Sequence, residues 1–300
     1  MRKHDLLTNT FKKKTNTFYM FAKKIIQFVL CSAFAVVASG CNNKKASFSE
    51  SSTQSQSYES SLSNKSSPEN PTESESLFWD VSDVDTSCVD PSKKLIALTF
   101  DDAPGATLEN ILAVFANFNE TNPNCKATAT IFFNGYRFDT QTPHLLMTAL
   151  ALGFELGNHT HSHVDLTKLP PQKLQEEIDK TDKLLAPFDK KERHLLRAPF
   201  GKTNELLKSV ASVPIIDWTI DTLDWTGKSV QEIYDSIFEN IFSGAIVLMH
   251  DGGKNTVEAL KRILPDLMHS GYQAVNVSTL AKMHNCPLKN GGVYIRARRK

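Results

Sequence analysis

The sequence predicts an α/β fold, a distorted (β/α) barrel of about seven parallel strands. From Lys94 onward, short apolar runs alternate with longer amphipathic segments, which is the pattern of a parallel sheet covered by helices on both faces. Polar side chains also follow the ends of several apolar runs, as they do at the active-site rim of a β/α barrel. With about seven such units, a closed or nearly closed barrel is favoured over an open sheet.

The individual strands and helices are predicted from the length of each apolar run and the spacing of its apolar residues. Apolar runs of six to eight residues fit strands, and longer stretches with apolar residues at helical spacing fit helices. The predicted strands are, in chain order, LIALTF, ATATIFFN, GFELGN, HLLRAPF, PIIDWTI, AIVLMH and YQAVNV. A helix is predicted after each of the first six, near residues 107–118, 142–152, 171–188, 205–211, 230–242 and 257–271.

Residues 1–41 are predicted to form a lipoprotein-type signal peptide. Lysines precede an uncharged run at residues 25–38, and small residues precede Cys41, as in an export signal whose apolar run is too short to span a bilayer. The sequence resembles a bacterial lipoprotein box, which implies a lipid anchor on Cys41, although Ala38 stands where leucine is usual. Translation from Met20 would give a more ordinary signal length. The alternatives are a buried N-terminal helix and secretion without lipidation.

The segment at residues 42–88 is predicted to be a disordered, Ser-rich tether. It contains almost no large apolar residues, so it cannot bury enough surface to offset its ordering entropy. The folded domain is expected at residues 89–300 and as a monomer. The chain has 34 basic and 33 acidic residues, so it provides no field to hold a polyanion, and nucleic-acid binding is excluded.

Three cysteines remain in the expected mature domain: Cys88, Cys125 and Cys286. One disulfide is allowed outside the cell, and a bond between Cys88 and Cys286 would tie the two ends of the domain together. No pair has the CxxC spacing of a metal knuckle, so simple buried thiols are the alternative.

Two stretches of the sequence indicate a metal site. TFDD ends at Asp102, and His159 and His163 are four residues apart. Two imidazoles and one carboxylate suit a divalent ion such as zinc, with one position left for water, while cobalt, nickel and manganese remain open. The hydroxyls of Thr160 and Ser162 could fix the loop that carries both histidines. The alternatives are a helix-capping aspartate and two histidines on an ordinary helix face.

Five motifs occur in one order along the predicted domain. Together they resemble the polysaccharide deacetylase family, the NodB-homology group in carbohydrate esterase family 4, over about residues 94–283. The resemblance implies a NodB-type barrel with its active site at the carboxyl ends of the strands. The motifs are TFDD at 99–102, HTHSH at 159–163, RAPFG at 197–201, DTLDW at 221–225 and LMH at 248–250.

The resemblance implies a chemical role for several residues. Asp101 is the expected base, Arg197 its partner, and His250 the general acid held by Asp224. The amide N–H of Phe200, which stands where tyrosine is commoner, is expected to stabilise the oxyanion.

The same family pattern implies a pocket for the acetyl methyl group, formed by Trp225 and Leu248 with Trp218 nearby. Taken alone, these apolar residues also fit ordinary core packing. Asp221 is expected to order the adjacent loop. Ala103 replaces the glycine that usually follows TFDD, so the loop after the aspartates is expected to bend differently.

The expected function is therefore metal-dependent removal of N-acetyl groups from amino-sugar polymers, either peptidoglycan or a chitooligosaccharide-like glycan. The lipid anchor and tether favour peptidoglycan at the outer face of a Gram-positive-type membrane. Two alternatives remain open: an esterase that removes O-acetyl groups from xylan, and an inactive, lipid-anchored glycan-binding module. A pure binder would need neither Asp101 nor the pair formed by Asp224 and His250.

Overall fold

The computed structural model describes residues 77–298. The predicted signal peptide, the anchor site at Cys41 and most of the predicted tether lie outside these residues. Within 77–298, no helix is both long enough and apolar enough to cross a bilayer.

Eight strands and seven α-helices make up the described part of the chain. The strands are β1 (Lys94–Ala103), β2 (Thr130–Phe133), β3 (Glu155–Asn158), β4 (Ile215–Ile216), β5 (Ile220–Asp221), β6 (Ile246–His250), β7 (Tyr272–Val275) and β8 (Val293–Tyr294). The helices are α1 (Leu108–Thr121), α2 (Thr142–Ala151), α3 (Pro171–Asp189), α4 (Glu205–Val210), α5 (Val230–Phe238), α6 (Lys254–His269) and α7 (Val277–Met283).

The strands form a nearly closed parallel barrel, which confirms the predicted fold class. The main sheet has the order β3-β2-β1-β6-β5, and β7 pairs with the first half of β1. Beyond β3 the wall continues through single parallel bridges from Asn158 to Leu196 and from Leu196 to Ile215. Ile215 of β4 forms the second of these bridges, and β5 pairs with β6. The short segment that contains β4 and β5 therefore joins the two ends of the sheet.

Two predicted strands are much shorter than expected. HLLRAPF contributes only the bridge at Leu196, and PIIDWTI is divided into β4 and β5. The side chain of Arg197 explains the interruption: its Nε donates to the carbonyl of Ile216 at 2.5 Å, and its Nη2 to that of Asp217 at 3.4 Å. The guanidinium thus occupies backbone carbonyl groups that would otherwise accept hydrogen bonds from a neighbouring strand.

Residue alternation along β1 directs the first aspartate of TFDD into the barrel. Ile96, Leu98 and Phe100 pack against the helices in the main apolar cluster. Since successive side chains of a strand point to opposite faces, Thr99 and Asp101 face the interior, and both are buried.

The three cysteines at positions 88, 125 and 286 are free thiols. The bond between Cys88 and Cys286 that the sequence allows is therefore not formed, and the alternative of simple thiols describes the structure. Cys125 is buried, while the other two are partly exposed.

A buried histidine joins helix α3 to the barrel wall. His194, two residues before the Leu196 bridge, is fully buried, with Nδ1 2.9 Å from Asp182 and Nε2 3.2 Å from Asp189. Burial alone would lower its pKa, but hydrogen bonds to both carboxylates outweigh burial and raise the pKa above the ordinary value. No sequence motif indicated this pairing, because His194 lies in none of the five motifs.

The raised pKa of His194 predicts a pH-dependent contribution to stability. The contribution is complete below the unfolded pKa of about 6.5 and is lost as pH rises through the higher folded pKa. His194→Gln should lower the free energy of unfolding near pH 6 by about 3–5 kcal/mol, and the deficit should shrink at higher pH. Urea titrations across pH 6–9 would measure this. A deficit that is independent of pH would contradict the assignment, and His144→Gln, at an exposed position, is the control.

Candidate functional site

The three predicted metal ligands come together at the carboxyl ends of β1 and β3. One ligand atom from each of Asp102, His159 and His163 lies within 4.8 Å of the others. Asp102 Oδ1 is 3.4 Å from His163 Nε2 and 3.8 Å from His159 Nε2. This carboxylate oxygen is buried and has no hydrogen-bond partner. A buried acceptor between two imidazoles is costly unless a cation satisfies it, so the donor set fits a divalent ion.

His159 has the tautomer that metal binding requires. Its Nδ1 lies 2.7 Å from the carbonyl oxygen of Arg197, so Nδ1 carries the proton and Nε2 presents a lone pair towards Asp102. Burial lowers the pKa of His159, although the negative charge of Asp101 opposes that shift. The ring is therefore neutral, which is the form that ligates a metal.

The loop between the histidines is fixed by hydrogen bonds to its hydroxyl side chains, as expected from the sequence. Thr160 Oγ1 accepts from the His163 amide at 3.2 Å. Glu177, on α3, accepts from both the amide of Ser162 at 2.7 Å and its hydroxyl at 3.0 Å. The Thr160 amide donates to the side chain of Asn158 at 2.8 Å. No sequence motif indicated Glu177.

The predicted base lies beside the three clustered ligands and is bound by the predicted arginine. Asp101 Oδ1 accepts from Arg197 Nη1 at 2.8 Å, while its Oδ2 is 3.6 Å from His159 Nε2. Arg197 is fully buried, and its Nη2 donates to Thr99 at 3.0 Å. One carboxylate oxygen is thus tied to the guanidinium, and the other faces the ligand atoms.

His250 and Asp224 form a second hydrogen-bonded pair in the site. The His250 ring Nδ1 and the Asp224 carboxylate are 2.8 Å apart, and the same carboxylate accepts from the His250 amide and from Thr256. Burial alone would lower the pKa of His250, but the hydrogen bond to Asp224 and the charge of Asp101 outweigh it and raise the pKa. Burial would raise the pKa of Asp224, but the bonds from His250 lower it. His250 is the register partner of Asp101 on β6.

An open cleft of about 370 Å³ leads from the three clustered ligands towards α6, and Asp102, His250 and Trp225 line it. Trp225 is 67% exposed, whereas Leu248 is buried two residues before His250 on the same face of β6. Phe200 is 60% exposed, and its ring centre is 4.8 Å from that of His163.

The remaining predicted residues lie next to these groups. Trp218 packs on Gly201 and stacks over Arg197, with 5.5 Å between the guanidinium and the ring centre. Asp221 accepts from the Leu223 amide at 2.9 Å, in the loop that leads to Asp224. His161 is not among the three clustered ligands.

A set of buried hydrogen bonds around Asp251, here called the clamp, holds the loop after the two aspartates, and none of the five sequence motifs indicates it. Asp251, next to His250, accepts from the amide of Gly105 at 2.5 Å and from the amide and hydroxyl of Thr107 at 3.0 and 2.8 Å. The Thr107 hydroxyl in turn accepts from the Gly252 amide at 2.7 Å. The clamp therefore joins the segment after Asp102 to the end of β6.

Removing one hydroxyl from this clamp should loosen the metal site. Thr107→Val leaves a buried carboxylate oxygen and a backbone amide short of a partner, which should cost about 1–3 kcal/mol of unfolding free energy. Zinc affinity should fall about 10-fold, as for other groups that orient ligands. Urea unfolding and competition with a zinc chelator would measure both effects. Thr107→Ser keeps the hydroxyl and should match the wild type; equal zinc affinity in all three proteins would contradict the role of the clamp.

Comparison with known proteins agrees with this geometry. The polysaccharide deacetylase family profile matches residues 89–213. A peptidoglycan-N-acetylglucosamine deacetylase of Bacillus cereus is 35% identical over 202 residues, covering 64% of this chain and 90% of that protein. The peptidoglycan-N-acetylmuramic acid deacetylase PdaC of Bacillus subtilis is 33% identical over 65% of this chain, but the match spans only 40% of PdaC.

A solved structure of PdaC is 32% identical and superposes with a TM-score of 0.60, covering 66% of this chain and 94% of that chain. A bifunctional xylanase/xylan deacetylase of Cellvibrio japonicus is 28% identical over 59% of this chain and 26% of its own length. The family profile, the alignment along most of the Bacillus cereus protein and the shared barrel show that the chain belongs to the polysaccharide deacetylase family, carbohydrate esterase family 4.

Proposed function

We propose that this protein is a metal-dependent polysaccharide N-deacetylase, which hydrolyses the acetamide of N-acetylated amino sugars in a glycan. One observation supports the proposal above all: two titratable side chains, each fixed by a charged partner, lie next to the three clustered ligands. Asp101 is held by Arg197, and His250 is held by Asp224, on adjacent strands. A base and an acid placed on neighbouring strands beside a metal site are the parts that amide hydrolysis needs.

Asp102, His159 and His163 would hold the metal ion, for which zinc is our choice and cobalt, nickel or manganese are the alternatives. When bound, a divalent ion lowers the pKa of a coordinated water and stabilises negative charge on a carbonyl oxygen. The unpartnered oxygen of Asp102 and the neutral ring of His159 support this assignment.

The other site residues would then move protons and stabilise charge. Asp101, with one oxygen bound to Arg197, takes the proton of the attacking water on its other oxygen. The amide N–H of Phe200 donates to the developing oxyanion. His250 protonates the departing sugar amine, and Asp224 stabilises the imidazolium until that transfer. Acetate leaves, and the glycan gains an amine.

The substrate we propose is peptidoglycan or a chitooligosaccharide-like glycan, bound with its acetyl methyl between Trp225 and Leu248. The names of the Bacillus relatives support a cell-wall substrate. A lipid anchor at Cys41 and a Ser-rich tether would keep a monomeric enzyme at the outer face of the membrane, next to such a substrate; secretion without lipidation is the alternative.

Acetate release tests the proposed reaction directly. The zinc-loaded protein should release acetate from N-acetylglucosamine oligomers or peptidoglycan. Asp101→Asn should slow release by about 10²–10⁴-fold, the usual contribution of a general base, while zinc stays bound. Asp266→Asn, where the carboxylate accepts from the Tyr234 hydroxyl at 3.0 Å, is the matched control. A wild-type protein that binds these glycans but releases no acetate would favour the glycan-binding module.

The leaving group distinguishes an amidase from an esterase. An amine needs protonation before the C–N bond breaks, whereas an alkoxide leaves with less help. His250→Gln should therefore reduce acetate release from N-acetyl substrates by about 10²–10⁴-fold, and by much less from O-acetylated xylan. Parallel assays on both substrates would measure the ratio. Wild-type turnover confined to the xylan ester would replace the proposed N-deacetylase with the esterase.

A further inference from the structure

One exposed aromatic residue near the site has no place in the proposed reaction. Tyr136 lies on the 3₁₀ turn Gly135–Arg137, directly after β2, and is 53% exposed. Aromatic rings that remain exposed near a candidate site are typical of ligand-binding surfaces.

The turn that carries Tyr136 is bound to both segments that supply metal ligands. The Asn134 amide donates to the carbonyl of Ala103, next to Asp102, at 2.7 Å. The Asn134 side chain donates to the carbonyl of His159 at 2.6 Å. The Tyr136 amide donates to the carbonyl of His161 at 2.9 Å. The backbone of Tyr136 is therefore fixed next to the segments that carry Asp102, His159 and His163.

The neighbouring arginine holds the ring in place. Arg137 Nε donates to the Tyr136 hydroxyl at 2.9 Å, and its guanidinium carbon lies 5.3 Å from the ring centre. Within residues 77–298, no carboxylate forms an ion pair with Arg137. A ring held in one orientation before binding loses little conformational entropy when a ligand packs on it.

The cleft and Tyr136 lie on opposite sides of strand β1 along the rim. Strand β1, which carries Asp101 and Asp102, lies between β2 and β6 in the sheet. The cleft with Trp225 and His250 opens on the β6 side, and Tyr136 follows β2. A glycan with one sugar in the cleft would therefore cross the end of β1, where Asp102 lies, to reach Tyr136.

We propose that Tyr136 is a sugar-binding subsite, whose ring packs against the C–H face of a pyranose unit next to the one that loses its acetyl group. Arg137 is a positioning residue that orients this ring. The proposal rests on the proposed function, since it assigns the occupant as a further unit of the same glycan. It makes the protein selective for chains over single sugars.

The test measures binding separately from turnover. The zinc-loaded Asp101→Asn protein is titrated with N-acetylglucosamine and with its oligomers of two to five units, by calorimetry or ligand-observed NMR. Adding Tyr136→Ala should weaken oligomer binding about tenfold, the factor that corresponds to 1.4 kcal/mol, and leave binding of the single sugar unchanged. Tyr136→Phe keeps the ring and should bind oligomers within about twofold of the parent. Met147→Ala, at a 55% exposed position on α2, is the control.

Each result decides one point. Unchanged oligomer binding in Tyr136→Ala would overturn the subsite, and so would an equal loss for the single sugar, which indicates a damaged site rather than a missing contact. If the wild type releases no acetate but the chain-length effect is present, the reaction fails and the subsite stands. If acetate is released and the chain-length effect is absent, only the subsite fails.

Discussion

The buried ion pair between Arg197 and Asp101 is the constraint on which the rest of the site depends. Burying a guanidinium is costly unless its charge and its N–H groups are satisfied. Here its side chain bonds Asp101, Thr99 and the carbonyl of Ile216. Its own carbonyl accepts from the ring of His159. A single residue thus orients the proposed base, sets the tautomer of a proposed metal ligand and closes the barrel wall between β3 and β4.

Parallel strand geometry supplies the remaining organisation. Residues far apart in sequence meet because the carboxyl ends of β1, β3 and β6 lie at one rim of the barrel. Residue alternation then selects which side chains face inward, so Asp101 and His250 meet as register partners. The second layer of contacts, from Glu177 to the ligand loop and from Asp251 to the loop after β1, limits the movement of the groups that the strands bring together.

The sequence predicted the parts of this protein that depend on local pattern. Apolar runs identified the strands, and residue types at strand ends identified Asp102, His159 and His163 as a cluster that the structure does assemble. The contacts of His194, Asp251 and Glu177 were not predictable, because a carboxylate partner can come from any helix or loop that packs nearby. The interruption at Leu196 was equally hidden, since it results from the path of the Arg197 side chain and not from the apolar run itself.

Four residues in or next to the ligand cluster adopt a backbone conformation that residues other than glycine rarely adopt. The φ angles are 66° at Asp102, 67° at Thr160, 53° at His163 and 62° at Phe200. Each such residue is held in place by its surroundings at some cost in stability. Replacing Thr160 or Phe200 with glycine would remove the strain of the positive φ angle. It would also allow the backbone of that segment to adopt other conformations. Stability and accurate placement of the ligand-bearing segments therefore favour different residue types at these positions. A variant stabilised by glycine here would hold its ligands less accurately.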